Sequence, residues 1–348
     1  MPAMLPQIAL TMGDVAGVGP EVLVRAWHDG RLCDWCRPIV FGNVNILRRA
    51  IEAVRLPLRV AAVDRLDQAQ PAADCLPCWD PNATDLDQVP VGVNDPRAGR
   101  AAFDWLVAAA KAALARQVDA IATAPLSKAA LHLAGLNYPG HTEILAEICG
   151  VRDFAMMLYL PGTALSDRLP QGLGVAHTTL HTSIRSVPEL LTRGRILETI
   201  GLLDTFLGSL GIAHPRIGVC ALNPHAGEEG LFGDEEAVVI RPAVTEAVQA
   251  GVAAAGPYPA DSVFQRAVAG EFDGVVAMYH DQGHIALKLL GMRRAVNVTL
   301  GLPIVRTSPS HGTAFDIAWT GKAQADGMIE AIRVATTLAT QRFGERPA

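Results

Sequence analysis

Short aliphatic runs recur along this chain, each breaking off at polar residues, and they leave it few folds to adopt. Ile8-Ala-Leu-Thr-Met12, Ile39-Val-Phe41, Asp119-Ala-Ile-Ala-Thr-Ala124, Gly174-Val-Ala-His177, Ile217 to Ala221, Gly274-Val-Val-Ala277 and Val296-Asn-Val-Thr299 are such runs. Runs of this length read as buried strands, and strands that alternate with helical segments argue a largely parallel α/β sheet. Open α/β sheets place ligands at the carboxyl ends of their strands. The residues just after each run are therefore where the chemistry should be.

The segments between the runs carry helical signals. Pro20 stands at a first helical position, after the glycine loop Gly13-Asp-Val-Ala-Gly17-Val-Gly19. Such a loop can be a tight βα turn or can cradle an anion at a helix start. Helices are expected over Val44 to Val54, over Gly99 to Leu114, and from Asp326 to Phe343. The stretch from Asp64 to Val93, rich in Pro, Asp and Ala, reads as short strands and loops.

With 348 residues, half of them hydrophobic and only 5 % aromatic, the chain can build a large aliphatic core. Basic residues number 29 against 35 acidic, a net of −6, and no basic block is long enough to track a phosphate backbone. Nucleic acid is thus not an expected partner. The start lacks a basic n-region and no apolar stretch reaches the roughly 18 residues that span a bilayer, so a soluble, cytoplasmic protein without membrane contact is expected. Cys33-x-x-Cys36 and Cys75-x-x-Cys78 have zinc-like spacing. The long interval between them and the absence of glycine knuckles favour reduced thiols.

The densest station is Ala277-Met-Tyr-His280-Asp281-Gln-Gly-His284-Ile-Ala-Leu-Lys288. On a helix His280, His284 and Lys288 share one face, able to grip a metal or an anion, or simply to meet solvent. Thr123, Ser127 and Lys128 follow one strand, and His141-Thr142 open a helix whose free amides suit an anion. If the strand from Gly174 continues regularly, His177 and His181 point to one face. Asn223-Pro-His225 follows another strand. Ser308-Pro-Ser-His311-Gly312-Thr313-Ala-Phe-Asp316 should lead into a helix from Asp316. Capping or packing explains each of these nearly as well when taken alone.

Together these stations resemble one family. Thr11-Met-Gly-Asp14 with Gly17-Val-Gly-Pro-Glu21, Thr123-Ala-Pro-Leu-Ser-Lys128, Gly140-His-Thr-Glu143, Leu222-Asn-Pro-His-Ala-Gly-Glu228, Met278-Tyr-His-Asp-Gln-Gly283, Asn297-Val-Thr-Leu-Gly-Leu-Pro303, Arg306-Thr307 and His311-Gly-Thr313 are similar, in order, to the 4-hydroxythreonine-4-phosphate dehydrogenase family of pyridoxal phosphate biosynthesis. The resemblance implies an isocitrate/isopropylmalate dehydrogenase-like fold of two α/β/α domains with a cleft. The outer, cofactor-binding domain would hold residues 1–125 and 287–348, and the inner one, 126–286, would carry metal, substrate and dimer contacts. It further implies a homodimer with the active site at the interface.

The implied activity is oxidation of a secondary alcohol of a small phosphorylated hydroxy acid by NAD or NADP, with decarboxylation of the β-keto acid. One divalent ion (zinc, magnesium, cobalt or manganese) would sit on His181, His225 and His280. His141, Thr142, Lys288, Asn297 and Arg306 would grip substrate, with Lys288 and Asp281 as catalytic groups, and His311, Gly312, Thr313 and Asp316 would hold the cofactor. Val15 and Ala286 stand where family members usually carry proline, and the extra His177 competes with His181 as a ligand. Similar enzymes act on 4-phosphothreonate, 4-phosphoerythronate or aromatic cis-dihydrodiol dicarboxylates, and a non-catalytic metal- or phosphate-binding homologue is the reading from another class.

Overall fold

The computed structural model describes residues 5–82, 85–165 and 169–343. Its strands are β1 (Gln7–Thr11), β2 (Arg37–Phe41), β3 (Arg59–Ala62), β4 (Cys75–Trp79), β5 (Ala120–Thr123), β6 (Ala155–Leu160), β7 (Leu173–His177), β8 (Ile217–Cys220), β9 (Ala254–Tyr258), β10 (Gly274–Ala277), β11 (Val296–Leu300) and β12 (Val305–Pro309). The chain divides into two compact units, Met1–Arg152 with Leu302–Ala348, and Asp153–Gly301. The borders expected from the sequence lie at 125/126 and 286/287. Packing moves them: the helix His141–Cys149 lies on the helix Pro96–Leu114, and β11 pairs with β6.

In the first unit the strands run in the order β3-β4-β2-β1-β5-β12, and every described pairing is parallel. β1 and β5 are wholly buried, as aliphatic strands covered on both faces should be. Side-chain oxygens start several helices: Asn43 accepts from the Asn45 and Ile46 amides, Asp95 from the Arg97 amide, and Ser127 from the Ala130 amide. The C-terminal helix runs over Asp326–Phe343 and packs on β12 and β5.

The second unit runs β11-β6-β7-β10-β8-β9, antiparallel for β11–β6 and β6–β7 and parallel thereafter. Its core is aliphatic around Leu158, Leu173, Val175, Val263 and Leu287.

Two expectations fail for identifiable reasons. β7 stops at His177 instead of continuing to His181, because its ladder partner β10 ends opposite it, at Ala277. No helix begins at Asp316. The chain turns through Ala314, Trp319 and Gly321, all at positive φ, and the buried Glu21 carboxylate accepts the Trp319 and Gly321 amides. Those amides are held by a side chain from the first helix, Gly19–His28, rather than by a helical ladder.

Candidate active site

In the first unit a polar group collects at the carboxyl ends of β1 and β5, with the side chain of Arg306 reaching it from β12. Arg306, on β12, is 2 % exposed, and its Nη2 donates to Thr123 Oγ1 at 2.9 Å. Burial lowers its pKa to about 10, and the Glu143 carboxylate partly restores it. His141 is the first residue of its helix, and Thr142 beside it is buried. Burial, then the Arg306 charge, holds the His141 imidazole well below its ordinary pKa, against a hydrogen bond with the Ala124 backbone. A neutral imidazole beside a buried guanidinium can bind an anion without adding a second charge to desolvate.

Asp14, in the loop after β1, is fully buried. Its Oδ1 accepts the Ala16 amide at 2.9 Å, while Oδ2 has no partner. Desolvation raises its carboxyl to about 6; the Ala16 bond opposes this and nearby Asp95 adds to it.

The glycine loop also holds the expected cofactor loop. The Val18 amide donates to the Thr313 carbonyl at 2.9 Å, and Trp319 Nε1 donates to the Val15 carbonyl at 2.9 Å. His311 keeps Nδ1 near the Gly312 carbonyl, and its Nε2 is buried without a partner. Gly312 and Asp316 are exposed and Thr313 half-buried. Gly13–Glu21 thus serves as a support for this loop.

In the second unit, four imidazoles gather. The helix His280–Gly291 begins at the cluster. His280 and His181 have ring centroids 5.1 Å apart, His280 and His284 lie 3.7 Å apart, and His284 and His177 lie 4.7 Å apart. The His280 and His284 planes are stacked within 14°. A ligating nitrogen holds its metal in the ring plane, so two stacked rings cannot share one ion. The pair that looked most natural on the helix face is therefore excluded.

His280 Nδ1 pairs with Asp281 Oδ1 at 2.6 Å, which leaves Nε2 as the lone pair. Metal-binding histidines usually have this arrangement, with the far nitrogen donating to a carboxylate. The His280 imidazole in turn holds the Asp281 carboxyl below the usual range. His177 is fully buried, and burial followed by the neighbouring His284 lowers it to about 3. Burial, then His280 and Lys288, lowers His284 to about 4.

His225 does not join them. It sits on Pro224–Gly230, where His225, Ala226, Gly227, Glu228 and Glu229 all have positive φ, and its ring neighbour is Phe232. Among the described residues no three His, Cys, Asp or Glu side chains are placed to hold a metal ion. His181 and His280 thus offer donor chemistry suited to a divalent ion, and the three-histidine set is not assembled within one chain. The Cys-x-x-Cys thiols serve elsewhere: Cys36 donates to the Leu32 carbonyl and Cys78 to the Gly42 carbonyl.

Lys288 is half-buried on the helix, and Asn297 on β11 has a buried Oδ1 without a partner. Several supports escaped the sequence reading. Gln282 bridges strands by accepting the Met278 amide at 2.7 Å and donating to the Ala221 carbonyl at 2.8 Å. Buried Glu236 accepts the Leu222 and Asn223 amides at 2.8 and 2.7 Å and holds the start of the His225 loop. Nothing in a lone Gln or Glu code marks such partners, which lie 4 to 61 residues away.

Residues 34–335 match the family described as pyridoxal phosphate biosynthetic protein PdxA. The chain belongs to the PdxA family. A D-threonate 4-phosphate dehydrogenase of Salmonella typhimurium is 44 % identical over 333 residues, which is 95 % of this chain and 98 % of the relative. A 4-hydroxythreonine-4-phosphate dehydrogenase of Geobacter metallireducens is 44 % identical over 339 residues, 97 % of each chain. Among solved PdxA-type structures, the 4-hydroxythreonine-4-phosphate dehydrogenase of Klebsiella pneumoniae superposes with a TM-score of 0.85 at 43 % identity, covering 96 % of this chain and 99 % of that one. The α/β architecture expected from the sequence is that of the PdxA structures.

Proposed function

We propose that this PdxA-family chain is an NAD(P)-linked dehydrogenase that oxidises the secondary alcohol of a small phosphorylated hydroxy acid, such as D-threonate 4-phosphate or 4-hydroxythreonine 4-phosphate. The resulting β-keto acid then loses carbon dioxide. The observation that carries this reading is near-full-length identity of 44 % to enzymes named for those two substrates.

Arg306, His141 and Thr142 are the phosphate and carboxylate grip in the first unit; Lys288 and Asn297 play that part in the second. A buried guanidinium already tied to Thr123 is pre-organised, so little order remains to be gained when an anion arrives. A bound nicotinamide cofactor would supply the hydride acceptor for the carbinol carbon, and the hydroxyl proton must leave to a group of the protein. Lys288 is the group we assign to that proton, and Asp281 fixes the tautomer of His280. The loop carrying His311, Gly312, Thr313 and Asp316 holds the cofactor.

The divalent ion would lie on His181, His225 and His280, and when bound it would lower the pKa of the hydroxyl and stabilise negative charge on its oxygen. Because His225 stands apart from the other two within one chain, a homodimer with the active site at its interface is the assembly we assign. Exposed Ile285 (61 %), Leu289 (83 %) and Met292 (59 %) on and beside the His280–Gly291 helix supply an apolar surface for a second copy.

The test is NADH or NADPH formation from D-threonate 4-phosphate, 4-hydroxythreonine 4-phosphate and unphosphorylated D-threonate. The reading expects turnover of a phosphorylated acid and a kcat/KM at least roughly a hundredfold lower without the phosphate, as loss of a charge-assisted anion contact implies. Equal rates with and without phosphate would sink it.

A further inference from the structure

The fully buried His177 belongs to none of the roles above, and its bonds determine a proton position. His177 Nδ1 lies 3.3 Å from the Met156 carbonyl oxygen, which can only accept, so Nδ1 carries the proton and Nε2 the lone pair. That lone pair faces His284 Nδ1 at 3.1 Å. His284 Nδ1 also lies 3.1 Å from the His280 carbonyl oxygen. Both neighbours of His284 Nδ1 are acceptors, so it must be the protonated nitrogen, and Nε2 of His284 is left as an acceptor. The His284 residue is 8 % exposed, and its Nε2 has no hydrogen-bond partner among the described residues.

The close approach is built into the backbone. A Cβ on Gly283 would fall 2.4 Å from His177 Nε2 and 2.7 Å from Val175 Cγ1, so only glycine lets the buried ring reach the helix. The His284 ring, so fixed, stacks on His280.

We propose that His177 is a positioning residue: by accepting the His284 Nδ1 proton it locks His284 in one tautomer, so that His284 Nε2 accepts a hydrogen bond from a hydroxyl of the substrate beside His280. The choice of a hydroxyl-bearing substrate rests on the function proposed above. The tautomer lock does not, and the experiment separates the two. An acceptor fixed in place and left unpaired until a donor arrives discriminates against analogues lacking that donor.

In 15N-histidine-labelled protein without ligand, long-range 1H–15N correlations should show His177 and His284 both protonated on Nδ1. In the His177→Phe variant, which keeps a buried ring and removes the acceptor, His284 should shift toward the Nε2–H tautomer. His177→Gln, whose Oε1 can take the place of Nε2, should restore it. Adding D-threonate 4-phosphate without cofactor should move the His284 Nε2 resonance upfield, and kcat/KM should fall at least tenfold in His177→Phe and recover in His177→Gln. A proton on Nε2 of His284 in the wild-type protein, or saturating substrate that leaves that resonance unmoved, would overturn the inference. If no phosphorylated acid binds while the tautomers are as described, the functional reading falls and the lock stands.

Discussion

Single atoms decide much in this molecule. Gly283→Ala would normally help a helix by up to about 1 kcal/mol, yet here the added Cβ meets His177 and Val175 at 2.4 and 2.7 Å. Overpacking against buried groups costs about 1–3 kcal/mol, so the clash should win, and thermal unfolding of the variant should occur several degrees lower. Asp14 offers a test by pH. Its folded carboxyl titrates near 6, above the ordinary 3.8, so the folded state binds the proton more tightly than the unfolded chain does. Its effect therefore favours folding most at low pH and is lost as pH rises through about 4 to 6, a change of up to about 3 kcal/mol. Asp14→Asn keeps the Ala16 bond and removes the charge; urea unfolding should find it more stable than wild type at pH 7.5 and equal near pH 4. An unchanged difference across that range would refute the assignment. Arg306→Lys keeps the charge and loses the planar fork, so kcat/KM for a phosphorylated acid should fall roughly tenfold to a hundredfold, mainly through KM.

The His225 loop is the element with the most strain to answer for. Four non-glycine residues, His225, Ala226, Glu228 and Glu229, sit at φ of 52, 56, 44 and 57°. Each left-handed residue costs about 1–2 kcal/mol, which the Glu236 carboxylate and its bonds to Leu222 and Asn223 help offset. Glu229 is exposed, so Glu229→Gly should stabilise the protein by about 1 kcal/mol in denaturant titration instead of weakening it. Such a segment was legible in the sequence only as Asn-Pro-His-Ala-Gly-Glu after a strand. The long helices and buried strands were readable because periodicity and composition are local. The end of β7 and the absent helix at Asp316 were not, because a neighbouring strand and a distant glutamate decide them. The histidine cluster was half readable: spacing suggested His280 with His284, but ring orientation, which no spacing carries, rules that pair out as ligands of one ion.

For the whole molecule, the homodimer proposed above is what remains to be tested, and it would form through the exposed apolar side chains on and beside the His280–Gly291 helix. Leu289→Asp should shift the protein from dimer to monomer in light scattering and lower activity with it, while unfolding remains cooperative. A wild-type monomer that turns over substrate would contradict the assembly. The central proposed activity is the coupled oxidation and decarboxylation of a phosphorylated hydroxy acid. Metal-replete protein given NAD, NADP and D-threonate 4-phosphate or 4-hydroxythreonine 4-phosphate should release reduced cofactor and carbon dioxide in equal amounts. Failure to reduce either cofactor with any phosphorylated acid, alongside turnover of an unphosphorylated cis-dihydrodiol dicarboxylate, would contradict it.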